Sequence, residues 1–318
     1  MWVRILVILG ALLCPLPALS QYSPSLGPYG VITTERLVLH DPARNRDLLL
    51  KIYYPAGPGP FPVIVFSHGA LASKDSYSVL GRYWASFGYV SIHPSHADSI
   101  VDEGFRGTLQ QAISDPRAWR NRPKDISLVI DSLSTIEKLV PGLQGKLDRR
   151  HIGVGGHSFG AYTAELIGGV SIRFPGQDKP QSFPDKRVSA ILLLSPQGQG
   201  RMGLTAHSWD NLHLPMLLMF GSRDFGPWGE PPAWRSEPYR RAPSGNKYEV
   251  ELMGGTHMDF AGSSNRGRGV PNPRLQCAEP ESLAFWDAYL KGNLPAKHYL
   301  LSRGCEDFSP QAGNFANK

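Results

Sequence analysis

His151-Ile-Gly-Val-Gly-Gly-His-Ser158-Phe-Gly-Ala-Tyr-Thr-Ala164 opens as a short β-branched strand and closes as a helix of small residues. Between the two lies Gly156-His157-Ser158-Phe159-Gly160, a G-x-S-x-G turn. A strand that bends this sharply into a helix holds its central serine on a strained backbone, with the hydroxyl exposed. The flanking positions must then lack a Cβ that would strike the strand or the helix. The turn also leaves the N–H of Phe159 and the positive end of the new helix near the serine oxygen.

The surrounding pattern supplies the context that this pentapeptide needs. Val31–Leu39 and Asp47–Tyr54 alternate like strands about a turn-rich link and predict an antiparallel hairpin. Val63–Phe66, Val188–Leu194 and Met216–Phe220 are continuous apolar runs, as expected of strands buried on both faces of a parallel sheet. Gly88–His93 and Tyr248–Met253 read as further strands. Helices are predicted over Asp75–Phe87, from Pro123 through Leu139, and over Pro280–Lys291 as the final one. Residues 94–121 show no period and predict an excursion over the face where the strands end. Strands alternating with helices predict an α/β fold with a mostly parallel, doubly wound sheet in a single domain.

The chain of 318 residues is 41% hydrophobic and 19% charged, enough to bury a substantial core. Its formal charge of +6 is spread without a dense Lys/Arg cluster, so nucleic acid is not an expected partner. Residues 1–20 have the pattern of a cleaved secretory leader. Arg4 is followed by the apolar Ile5–Leu13, by Pro15 and Pro17, and by Ala18-Leu19-Ser20 before Gln21. The apolar run is shorter than the roughly 18 residues of a membrane span. The expected mature chain is therefore 21–318, exported to the periplasm or beyond. Export leaves Cys277 and Cys305 as a candidate disulfide in an oxidising compartment. Neither cysteine has a partner at zinc-ligand spacing, and His93-Pro-Ser-His96 has no nearby acidic or sulfur ligand, so neither metal nor cofactor is expected.

A serine hydroxyl becomes nucleophilic when a base takes its proton. On sheets of this kind an acid and then a histidine follow the serine, each on a loop past a strand end. Past Met216–Phe220 comes Gly221-Ser-Arg-Asp224, and past Met253 comes Gly254-Gly-Thr-His257. The expected triad is Ser158, Asp224 and His257, with Asp259 as the rival carboxylate. An oxyanion hole needs a second N–H from the loop after the third strand, Phe66-Ser-His68-Gly69-Ala70-Leu71. Ala70 and Phe159 are the expected donors, and His68 is expected to brace the loop. Trp119, Trp228 and Trp234, in 94–121 and 227–241, are either an acyl-binding rim or ordinary packing.

Phe66-Ser-His-Gly69, Gly156-His-Ser-Phe-Gly160 and His257-x-x-Phe260 together resemble the platelet-activating-factor acetylhydrolase and dienelactone-hydrolase-like branch of the α/β-hydrolases. Arg122-Pro-x-Asp125 and Ser195-Pro-Gln-Gly198 are similar to bacterial members. The resemblance spans roughly residues 60–260. It implies a serine carboxylic-ester hydrolase needing no cofactor; among small-molecule, lipid and polymer esters, the expected export favours lipid-like or polymer ones, cutinase-type polyesters included. By position it implies Ala70 and Phe159 as oxyanion donors, with the Gln197 loop bordering the pocket; Leu71, in the loop that holds Ala70, is a further candidate substrate contact. Two departures matter. This elbow carries serine where dienelactone hydrolases carry cysteine. The acid of the acetylhydrolases follows the preceding strand, where this chain has Ser195-Pro-Gln197.

Overall fold

A computed structural model describes residues 22, 27–261, 273–302 and 313–318. The hairpin is formed by β1 (Val31–Asp41) and β2 (Arg46–Pro55), closed by Asp41, whose Oδ1 accepts the Ala43 and Arg44 N–H groups. The central strands are β3 (Phe61–Ser67), β4 (Val90–Pro94) and β5 (Leu147–His157). A two-stranded ribbon of β6 (Ser171–Ile172) and β7 (Gln181–Ser182) precedes β8 (Val188–Leu194), β9 (Met216–Gly221), β10 (Lys247–Leu252) and β11 (Gly313–Asn317). The main sheet runs β1-β2-β4-β3-β5-β8-β9-β10-β11. From β4 to β10 all neighbours are parallel; β1, β2 and β11 are antiparallel at the edges. After β3 the chain steps one way to β4 and then returns past β3 to β5. The strand order therefore reverses between β3 and β5, the place where an open parallel sheet leaves a crevice at its carboxyl ends.

Helices cover both faces. They are α1 (Ser78–Ser86), α2 (Ile100–Glu103), α3 (Leu109–Ser114), α4 (Pro116–Asp131), α5 (Leu133–Leu139), α6 (Phe159–Ile167), α7 (Glu237–Arg241), α8 (Pro273–Leu290) and α9 (Leu294–Leu301). One apolar layer joins β-strand side chains such as Val63, Val65 and Ile152 to α4 and α6. The other joins Ile64, Leu192 and Leu217 to Trp84 of α1 and Trp286 of α8. Strands buried on both sides explain why their sequences are continuous apolar runs.

Four expectations are corrected. Pro123 and Pro280 do not start helices; they lie inside α4 and α8, which begin at Pro116 and Pro273. An internal proline costs a helix roughly 3 kcal/mol. In α4 the buried Trp119, Arg122, Ile126 and Val129 offset that cost, and Asp115 caps the true start by accepting the Arg117 N–H. The stretch expected as one helix to Leu139 divides at Ser132 into α4 and α5. Residues 94–121 hold α2, α3 and the first turns of α4, the first two being four and six residues long. Finally, α9 and the edge strand β11 follow the helix expected to be last.

Candidate active site

The elbow forms because two glycines meet. A Cβ on Gly156 would lie 2.2 Å from the Gly160 carbonyl carbon, and one on Gly160 would lie 1.9 Å from the Ser67 carbonyl oxygen. No other residue fits either position, so β5, α6 and β3 close on one another at the turn. Ser158 between them has φ 55° and ψ −119°, a conformation that a side chain adopts only under constraint. Its N–H donates to Leu194 O at 2.8 Å, which fixes the turn to the end of β8. Leu71 and Ser195, past the ends of β3 and β8, also have positive φ, at 66° and 52°. Strain thus collects at three neighbouring strand ends around a single crevice.

Two further loops bring the acid and the histidine together. Ser222 N–H donates to Leu252 O and Arg223 N–H to Gly255 O, at 2.9 and 2.8 Å, so the turns after β9 and β10 are zipped to each other. Asp224 is fully buried, and His257 Nδ1 lies 2.9 Å from its Oδ1. Burial raises the carboxyl of Asp224. The hydrogen bond from His257 and the charge of Arg235 outweigh that and hold it below the usual carboxylate range. Asp259 faces elsewhere, with its Oδ2 accepting the Thr256 N–H at 2.7 Å to cap its own turn. Ser158 and His257 line the same cleft of about 510 Å³. Among the described residues no hydrogen bond joins the serine hydroxyl to the imidazole; such pairs are commonly loose until substrate is bound.

The loop after β3 is pinned on both sides of Ala70. Gly69 N–H donates to Tyr77 Oη at 3.2 Å, and Leu71 N–H to Asp98 Oδ2 at 3.2 Å. Neither the Ala70 N–H nor the Phe159 N–H donates to a group among the described residues. Arg122, buried in α4, grips Asp98 through both carboxylate oxygens, donates to His68 O at 2.7 Å, and lies 4.2 Å over the Phe159 ring. His68 braces the loop. Its Nε2 accepts the His96 N–H at 2.9 Å, so Nδ1 carries the proton and donates to Gly69 O at 2.6 Å. Burial pulls His68 well below the ordinary histidine range and keeps it neutral.

Two residues that the sequence did not single out complete the arrangement. His157, also neutral through burial, donates from Nε2 to the His257 carbonyl at 2.8 Å. Its Nδ1 accepts the Tyr77 hydroxyl at 2.8 Å, so a chain of hydrogen bonds runs from Gly69 to the His257 backbone. Arg235, 1% exposed, donates to Asp224 Oδ1 at 3.1 Å and to Pro196 O at 2.9 Å, with Nη2 3.2 Å from His257 Nδ1.

Leu71 and Gln197 line the cleft, together with Leu109, Ile113, Phe225, Pro227, Met258 and Ala261. The three tryptophans do not. Trp119 and Trp234 are buried and donate to the Ile113 and Gln199 carbonyls, and Trp228 stacks under Arg201. His93 and His96 are taken up by Ser91, Ser67 and Asp125, and no cluster of three metal-ligating side chains occurs among the described residues. Cys277 is buried in α8; Cys305 and residues 1–20 lie outside the described residues. No helix among the described residues is long and apolar enough to cross a membrane.

A mostly parallel sheet with helices on both faces and a serine-bearing strand–helix elbow at its switch point is the α/β-hydrolase fold. Within that class, the sequence model of the Chlorophyllase family matches residues 30–167, which run from the start of β1 to the end of α6. Platelet-activating factor acetylhydrolase of Cavia porcellus is 26% identical over 133 residues, which cover 32% of this chain and 30% of that protein. The family match therefore takes in the Ala70 loop and Ser158 but stops short of Asp224 and His257.

Proposed function

We propose that this protein is an exported serine carboxylic-ester hydrolase acting through an acyl-enzyme, with Ser158 as nucleophile, His257 as base and Asp224 as its orienting acid. The observation that carries the reading is that Ser158 and His257, from separate strand ends, line one apolar cleft while Asp224, from a third, is buried 2.9 Å from His257 Nδ1. His257 Nε2 takes the Ser158 proton as the oxygen bonds to the ester carbonyl. The carbonyl oxygen becomes an anion held by the Ala70 and Phe159 N–H groups. Collapse breaks the carbon–oxygen bond to the alcohol, which leaves with the proton from His257. Water, activated by the same imidazole, then releases the acid and restores Ser158. A cleft lined by leucine, isoleucine, phenylalanine, proline and methionine suits an ester with an apolar acyl or alcohol portion better than a charged one. The leader at 1–20, the catalytic domain over 21–318 and a Cys277–Cys305 disulfide belong to the same proposal.

Labelling by a fluorophosphonate tests it. The folded protein is expected to be modified at Ser158, and a folded protein that fails to react would instead be a binding protein on a hydrolase scaffold. A chain-length series of p-nitrophenyl esters, with a phospholipid and a polyester beside it, then separates the substrate classes.

The oxyanion assignment has its own test. Ala70→Pro removes one donor N–H from a loop whose neighbours are pinned by Tyr77 and Asp98. It is expected to lower kcat by roughly 10²–10³-fold. A folded variant with undiminished kcat would remove Ala70 from the oxyanion hole.

A further inference from the structure

The geometry points to Arg235 as a positioning residue of the triad: it clamps Asp224 at the oxygen that meets His257 Nδ1, and its charge opposes a second positive charge on the imidazole beside it. This rests on the proposed serine-hydrolase reading. The arginine is almost wholly buried, and it reaches the site from the short 3₁₀ turn Pro232–Ser236. Its Nε and Nη2 both lie 3.1 Å from Asp224 Oδ1, the oxygen that His257 Nδ1 also approaches at 2.9 Å. It also donates to backbone carbonyls, those of Ser195 and Pro196 past β8 and of Phe225 beside Asp224, and lies 5.1 Å from the Trp234 ring centre. One guanidinium therefore ties the strand end that resembles the acetylhydrolase acid position to the loop that holds this chain's acid.

Arg235 Nη2 is 3.2 Å from His257 Nδ1. Both groups cannot donate to each other, and the nearer neighbour of Nδ1 is the carboxylate oxygen. Nδ1–H therefore donates to Asp224, and the guanidinium stands beside the imidazole as a charge. In a bare acid–histidine pair, protonating the imidazole leaves a neutral ion pair. Here Arg235 has already balanced Asp224, so the same proton leaves a net positive cluster, with the arginine and the carboxylate buried and the imidazole half-buried beside them. The other groups facing His257 are His157 from β5, held neutral by burial, and Ser158; Glu230 acts on Arg235 from the preceding loop. Asp259, on the histidine's own turn, is occupied by Thr256 and lies 4.0 Å from Arg274.

The test is the rate of fluorophosphonate labelling of Ser158 against pH in the full chain, for the wild type, Arg235→Gln and Arg235→Lys. Arg235→Gln is expected to move the acid limb upward by about one pH unit, and Arg235→Lys to leave it within a few tenths. Arg235→Met, unbranched and suited to a buried position, carries the same expectation as glutamine should that variant misfold. A folded neutral variant with the wild-type limb would overturn the proposal. So would misfolding of both neutral variants, which would assign Arg235 to the scaffold. A wild type that does not label at any pH would defeat the hydrolase reading itself.

Discussion

Ser158→Ala is expected to lower ester turnover by roughly 10⁴–10⁶-fold while leaving the fold intact. The argument for the size is chemical. Without the hydroxyl no acyl-enzyme can form, and what remains is the contribution of the oxyanion donors and the cleft to direct attack by water. The argument for the intact fold is structural. Alanine keeps the same Cβ at φ 55°, so the strain of the turn is unchanged, and the Ser158 N–H can still reach Leu194 O. Among the described residues the serine oxygen holds no hydrogen bond that the fold would miss. Steady-state kinetics with a p-nitrophenyl ester, alongside a thermal melt, checks both halves. Turnover near the wild-type level in a folded variant would exclude Ser158 as the nucleophile, whatever the sheet around it looks like.

The elbow was legible from the sequence because its geometry admits so few residues. With gaps of 2.2 and 1.9 Å where Cβ atoms would sit, Gly156 and Gly160 announce a close approach of backbone to backbone. The parallel strands were legible for the complementary reason: burial on both faces leaves no polar phase in the sequence. The excursion over the strand ends was not. A helix of four or six residues makes fewer than two turns, so α2 and α3 cannot display a 3.6-residue period even though Leu109 and Ile113 of α3 line the cleft. The edge strand β11, Gly-Asn-Phe-Ala-Asn, has a single large apolar side chain and takes its conformation from pairing with β10. Arg235 was hidden by its type. An arginine in a proline-rich loop reads as solvated, and only its burial against Asp224 gives it a different meaning. The tryptophans were open to either reading, and the structure takes the second: two of the three close loops through their N–H groups.

Asp224→Asn is expected to reduce kcat by about 10⁴-fold, and Asp259→Asn by less than tenfold. The two carboxylates stand on either side of the question of which loop supplies the acid, and sequence order alone allowed both. Asp224 Oδ1 receives the imidazole at 2.9 Å, so an amide there would present Nδ2–H or an uncharged oxygen to His257. Either the tautomer changes, leaving Nε2 protonated and unable to take the serine proton, or the imidazolium formed during attack loses its counter-charge. The buried Arg235 would make the loss more severe, because its positive charge would then face the protonating imidazole with nothing between them. Asp259 can lose its charge at far smaller cost to turnover, since its Oδ2 accepts the Thr256 N–H and lies 4.0 Å from Arg274, contacts that hold its own turn and do not reach His257 Nδ1. Its substitution should appear chiefly as a loss of about 1 kcal/mol of stability. The discriminating measurement is kcat for both variants at the pH optimum, with Ser158 labelling as a count of intact sites. A larger loss in Asp259→Asn than in Asp224→Asn would move the acid to the histidine's own loop and dissolve the triad as drawn.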